Sequence, residues 1–346
     1  MTSGKTMSDI RKLAKERAGR ICRVCRVCDG RVCAGEVPGM GGIGTGAGFI
    51  RNVDALASVK VNMRTLHGAG EPDCSISLFG HQLKLPVLGA PVAGVKINFK
   101  ELIGEYELAH AMVGGCLDAG TLGMTGDGGD PEVYQAGMKV LHEVGGQAIA
   151  VVKPGPNEQI IKKFKAAEEA GAVAVGIDVD AAGFVNMRLL GAPVGPKSQD
   201  ELQELISSTK LPVILKGIMT PDEARLAVEC GACGIVVSNH GGRVLDHTPG
   251  VADVLSDIAK SVKGEIIIFA DGGVRQGVDV LKYLALGADA VLVGRPLAIG
   301  AFGGGREGVE CVLHMLRSEL EIAMILTGCA SLKDIGSHVI AGVSAT

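Results

Sequence analysis

From residue 84 onward the chain alternates short apolar runs with segments of helical period. The apolar runs fall at residues 86–91, 122–125, 148–153, 174–180, 212–216, 234–238, 266–270 and 290–294. Between them, apolar residues at three- and four-residue spacing predict helices over 101–119, 131–144, 157–170, 199–208, 221–230, 251–262 and 276–285, with more helix toward the C-terminus. An irregular stretch runs from the fourth strand to about residue 198. The strand runs are apolar throughout, which is how strands buried on both faces of a parallel sheet read. Eight such units in about 250 residues match a (β/α)8 barrel with right-handed crossovers. A doubly wound open sheet is the other arrangement, and the even spacing of eight units favours closure. The expected fold is therefore α/β: a (β/α)8 TIM barrel over residues 84–346, with an N-terminal cysteine-rich extension, residues 1–83, packing on it.

The extension opens with a charged helical pattern over residues 8–20, with Ser8 as its expected N-cap. Cys22, Cys25, Cys28 and Cys33 follow, spaced C-x2-C-x2-C-x4-C. Gaps this short let one loop wrap a compact metal centre. The pattern is one residue longer in its last gap than the ferredoxin-type run C-x2-C-x2-C-x3-C. Zinc sites more often separate two C-x2-C pairs by a longer segment. Iron–sulfur, four unligated thiols and zinc stay open as readings, in that order. Residues 35–48 hold seven glycines but lack the preceding strand of a dinucleotide site. They read as a flexible segment lying over the domain.

Composition narrows the function. Glycine supplies 52 of 346 residues, well above the usual ~7%, as many tight strand-to-helix turns and close backbone approach to a cofactor require. The net charge of −4 lacks the basic footprint of a nucleic-acid binder. No apolar run reaches the length of a membrane span, and the N-terminus lacks the apolar core of a signal peptide. Ten cysteines without a secretion signal point to a reducing, cytoplasmic location.

Polar groups collect where a barrel places its active site, at the C-terminal strand ends. The fourth run ends in Asp178 and Asp180, the fifth in Lys216, and the sixth in Ser238-Asn239-His240-Gly241-Gly242-Arg243. The seventh gives Asp271-Gly272-Gly273-Val274-Arg275 and the eighth Gly294-Arg295-Pro296. An imidazole moves protons near neutral pH, and a guanidinium clamps a carboxylate with two parallel hydrogen bonds. Glycine N–H groups and an arginine on each of the last two loops suit a phosphate dianion.

These segments resemble the FMN-dependent α-hydroxy-acid oxidases and dehydrogenases, the family of glycolate and lactate oxidases. The likeness is carried by residues 215–218, 234–246, 271–280, 284–289 and 293–296, with the closing stretches 319–329 and 331–335. It is strong over 205–336, fair over 84–180, and largely absent before residue 50. The resemblance implies FMN as cofactor and a small (S)-2-hydroxy acid as substrate. It implies that His240 is the base, that Asp180 supports its imidazole, that Lys216 stabilises the reduced flavin and that Arg243 binds the substrate carboxylate. Asp271, Gly272, Gly273, Arg275, Gly294 and Arg295 would hold the ribityl phosphate. Pro91, Val92 and Ala93 would back the flavin ring, with Thr125, Asp178, Ser238 and Gly241 also at the cofactor. A homotetramer is the family's usual assembly.

The chain also departs from the family pattern. Its only tyrosines are Tyr106, Tyr134 and Tyr283, so the family's N-terminal substrate tyrosine has no counterpart. A second tyrosine, after the third strand, is replaced by Lys153, and a family arginine is matched only by Arg188. Lys153 either takes the tyrosine's place at the substrate carboxylate or neutralises Asp178. An iron–sulfur centre would suit a dehydrogenase that releases electrons singly, and the electron acceptor is left open. Competing readings are an FMN-dependent isomerase acting on a diphosphate, a flavin- or metal-binding redox sensor, and a zinc-stabilised structural domain.

Overall fold

A computed structural model describes residues 5–341. Two helices, α1 (Met7–Ala18) and α2 (Ala47–Ser58), and a hairpin, β1 (Ile76–Leu78) with β2 (His81–Leu83), precede the barrel. The barrel then runs β3 (Val87–Gly89), α3 (Val95–Phe99), α4 (Glu105–Asp118), β4 (Met124–Thr125), α5 (Pro131–Glu143), β5 (Ile149–Val152), α6 (Asn157–Glu169) and β6 (Ala174–Asp178). It continues through α7 (Val185–Leu189), α8 (Gln199–Ser207), β7 (Val213–Ile218), α9 (Pro221–Glu229), β8 (Gly234–Val237), α10 (Val251–Val262), β9 (Ile267–Ala270), α11 (Gly277–Ala285), β10 (Ala290–Val293) and α12 (Arg295–Thr327).

All eight barrel strands are parallel, in the order β3-β10-β9-β8-β7-β6-β5-β4. Gly89 bridges Gly123 and so joins the two end strands into a ring. Alternate strand residues point inward, and Leu88, Met124, Ile149, Val151, Ile214, Val236, Phe269 and Leu292 fill the interior. The β1–β2 hairpin closes the N-terminal end, adding Leu78 and Leu83 to that interior and laying Phe79 on Phe269 at 6.3 Å. With that end plugged, the open face is the one formed by the C-terminal strand ends. Among the described residues no helix is long and apolar enough to cross a membrane.

The structure corrects several expected boundaries. The N-cap of α1 is Thr6, not Ser8, because Asp9 three residues on completes a reciprocal capping box; the residue three past Ser8 is Arg11, which cannot accept. The helix expected over 101–119 starts only at Glu105, because Lys100 and Glu101 take left-handed φ values of 47° and 57°, and the short helix α3 that precedes this break was not expected. The fourth strand stops at Asp178, and residues 179–183 form a 3-10 turn that carries Asp180. Neither the hairpin nor α2 stands out in the sequence pattern. The glycine-rich segment does lie over the open face, where Ile43 N–H donates to the Gly242 carbonyl at 2.9 Å.

Candidate active site

The loop after β8 is shaped by three successive left-handed residues, His240 (φ 56°), Gly241 (63°) and Gly242 (74°). Glycine is required at 242, since a Cβ there would sit 2.1 Å from the Phe49 nitrogen of α2. Asn239 anchors the same turn, accepting from Asn52 of α2 at 2.7 Å and from Gly242 N–H at 3.1 Å. The strained turn thereby points His240 into a cavity of about 430 Å³. Among its lining residues are Lys153, Asp178, Phe184, Lys216, His240 and Arg243.

One end of the cavity is a compact ion cluster. His240 Nδ1 lies 2.9 Å from Asp180 Oδ1 and 3.4 Å from Asp178 Oδ1. Two carboxylates beside Nδ1 favour the proton there, which leaves Nε2 as the free base nitrogen. Lys216 Nζ donates to Asp178 Oδ1 at 3.0 Å and lies 3.9 Å from both Asp180 and Asp271. Lys153 pairs with the other oxygen of Asp178. Burial opposes ionisation of Asp178, but His240, Lys153 and Lys216 hold its pKa well below the ordinary carboxylate value. Burial likewise works against the Lys216 ammonium, and its three aspartates outweigh it, so its pKa is raised. Asp271 goes the other way: burial raises its pKa despite Lys216 and the Ser238 hydroxyl, which donates to it at 2.9 Å.

The other end holds three guanidiniums that have no carboxylate partner among the described residues. Arg243 donates to the Gly39 carbonyl and, at 2.8 Å, to Asn98 Oδ1. Arg295 donates to the carbonyls of Met40 (2.8 Å) and Gly41 (2.9 Å), and lies over the Phe49 ring at 3.7 Å. Arg275 donates to the carbonyls of Val274 (2.7 Å) and Cys28 (3.0 Å). Burial pushes Arg243 down to about 10, and burial together with repulsion from Arg243 and Arg275 pushes Arg295 down to about 9. Like charges crowded in this way mark a place built for an anion.

Most of the residues singled out in the sequence come together here. Pro91, Val92, Ala93, Lys153, Asp178, Lys216, His240, Gly241, Arg243, Asp271, Gly272, Gly273, Arg275, Gly294 and Arg295 all line the cavity. Asp180 and Ser238 stand one layer behind, holding His240 and Asp271. Two do not reach it. The side chain of Thr125 faces α5, where it would collide with a Cβ on Gly137, because its neighbour Met124 takes the inward position. Arg188 is exposed, while Asn186 and Met187 on the same short helix face the cavity. Of the two roles open to Lys153, the structure places it on Asp178. No tyrosine lines the cavity. Phe184, 4.9 Å from the His240 ring, and Asn98, bonded to Arg243 and Asn186, were missed; neither sits in a recognisable motif. Cys22, Cys25, Cys28 and Cys33 are free, half-buried thiols at the arginine end, and no three of them come within 4.8 Å of one another.

The family described as FMN-dependent dehydrogenase matches residues 39–189 and 195–342. Glycolate oxidase 5 of Oryza sativa subsp. japonica is 32% identical over 324 residues, covering 84% of this chain and 86% of its own length. A 2-hydroxyacid oxidase of Dictyostelium discoideum is 51% identical over 141 residues, 41% of this chain and 36% of that protein. Among solved structures, a mandelate oxidase variant with a monooxide FMN adduct is 33% identical, covers 90% of this chain and 98% of its own, and superposes with a TM-score of 0.72.

Proposed function

Since the chain belongs to the FMN-dependent dehydrogenase family and is an FMN-dependent oxidoreductase, we propose that it oxidises a small (S)-2-hydroxy acid to the 2-oxo acid. The observation that carries this reading is the pairing, in one cavity, of an imidazole held by a carboxylate with an arginine that has no acid partner. FMN fits the residues present. Asp271 Oδ1 is buried with no hydrogen-bond partner, as an acceptor for a ribityl hydroxyl should be. Arg275 and Arg295, short of counter-charge, suit the phosphate, with the backbone of Gly272, Gly273 and Gly294 beside them. Pro91, Val92 and Ala93 would lie against the ring. When bound, FMN supplies the electron-accepting chemistry.

The side chains divide the remaining work. Arg243 clamps the substrate carboxylate, and its stacking near Phe184, 5.6 Å from the ring, fixes the plane of the guanidinium. His240 takes a proton at Nε2, and Asp180 stabilises the imidazolium that results. Lys216 offers its positive charge to the reduced cofactor. Asn186 Oδ1 is buried and without a partner, so it is free to accept from a substrate hydroxyl. Lys153, Phe184 and Met187 form a wall with no tyrosine, which argues for a substrate chosen differently from those of the named relatives.

Anaerobic addition of a panel of 2-hydroxy acids to the holoprotein tests the reading. One acid should bleach the flavin absorbance, and His240→Ala should slow the bleaching severely while FMN stays bound. Flavin that is photoreducible but bleached by no acid would overturn the proposal and favour an isomerase.

A further inference from the structure

The four cysteines are left unused by the barrel chemistry. They also precede the family match, which begins at residue 39. Their loop is wrapped rather than extended. Val24, inside the first gap, has φ 46°, and its N–H points at Cys22 Sγ from 3.4 Å. Gly30, inside the last gap, has φ 87°, and Cys33 Sγ lies 3.7 Å from its carbonyl. Two arginines from other parts of the chain pin the loop. Arg11 of α1 donates to the Cys25 carbonyl at 2.6 Å. Arg275 donates to the Cys28 carbonyl and approaches Cys28 Sγ to 3.4 Å while lining the cavity. One side chain therefore separates Cys28 from the proposed phosphate position.

We propose that Cys22, Cys25, Cys28 and Cys33 ligate an iron–sulfur cluster at the arginine end of the cavity, through which electrons leave singly to a carrier protein. Zinc sites more often separate two C-x2-C pairs by a longer segment. The spacing C-x2-C-x2-C-x4-C within one loop lies one residue from the ferredoxin-type run that wraps an iron and sulfide core. N–H groups and cations aimed at sulfur, as from Val24 and Arg275, are what such a core takes from its surroundings. The ligand assignment stands on the cysteines alone. The electron route rests on the proposed oxidation, which releases two electrons and two protons per substrate. The protons go to solvent, and the electrons pass in two single steps to two molecules of an oxidised one-electron carrier of ferredoxin or cytochrome class.

Full-length holoprotein purified without oxygen tests both halves. Iron and acid-labile sulfide should be equal, at about four of each per chain for a cubane cluster. Dithionite reduction should give a low-temperature EPR signal, and the Cys25→Ser/Cys28→Ser double variant should lose metal, sulfide and signal. Zinc without sulfide, or no metal after reconstitution with ferrous iron and sulfide, would overturn the assignment. Photoreduction of the flavin, which needs no substrate, should then bring up the cluster's EPR signal. A loaded cluster that stays oxidised beside fully reduced flavin would overturn the route, whatever the outcome with 2-hydroxy acids.

Discussion

The two ends of the cavity solve the problem of buried charge in opposite ways. Around His240, the carboxylates Asp178, Asp180 and Asp271 face the cations Lys153 and Lys216 at hydrogen-bond or near-contact distance. That cluster is nearly complete within the protein. Beside it Arg243, Arg275 and Arg295 have only carbonyl, amide and thiol partners, and Arg243 and Arg275 repel Arg295. The first end is organised to hold a proton in place. The second is organised to be finished by ligands, and its unmet charge says those ligands are anions. A charge balanced in advance cannot bind, and a charge left bare cannot orient a neighbour, so the two tasks are kept apart.

The sharpest way to break this contrast is His240→Ala, which should slow flavin reduction about 10²–10⁴-fold if His240 is the general base. Stopped-flow bleaching with the best acid measures it, and a loss under tenfold would move the proton chemistry elsewhere. Asp178→Asn comes next. It strips the buried Lys216 and Lys153 of a shared partner, and breaking a buried pair costs about 3–5 kcal/mol; urea unfolding reads this directly. A neutral result would mean the acidic end is less complete than its geometry.

The arginine end should respond with the opposite sign. Inorganic phosphate added to the FMN-free protein should raise its Tm, by up to about 2.7 kcal/mol of stabilisation at a hundredfold excess over Kd. Arg295→Met should relieve repulsion, raising the Tm of the FMN-free protein slightly while weakening FMN and erasing the phosphate effect. Equal phosphate responses in the two proteins would remove Arg295 from the anion site.

The smallest effect lies in acid. Asp178, with its pKa depressed, contributes stability that is present above its unfolded value and lost as pH falls through the folded one. Asp271, with its pKa raised, does the reverse: it gains stability as pH falls toward its unfolded value. Asp178→Asn should flatten the acid limb of the stability curve and Asp271→Asn should steepen it, each by at most ~1.4 kcal/mol per pH unit. Urea midpoints between about pH 3 and 6 would show it.

What the sequence by itself determined is the barrel and the roster of chemistry at its strand ends. Strands buried on both faces must be apolar along their whole length, and the polar residue that ends each run therefore marks the open face. His240, Lys216, Asp178 and the arginines were legible for that reason. The sequence could not say which way a residue at a strand end points. Thr125 and Met124 are adjacent, and only the closed ring, with its interior to fill, turned Met124 in and Thr125 out. Arg188 was lost in the same way, since a short helix buries one side only. The partners of the site lie far apart in the chain: Asn52 with Asn239, Asn98 with Arg243, Cys28 with Arg275. Contacts of that kind leave no local period or motif, because they are made by packing one loop over another. Tertiary structure alone decided that Lys153 sits on Asp178, and that the N-terminal cysteines lie against the arginines of the cavity.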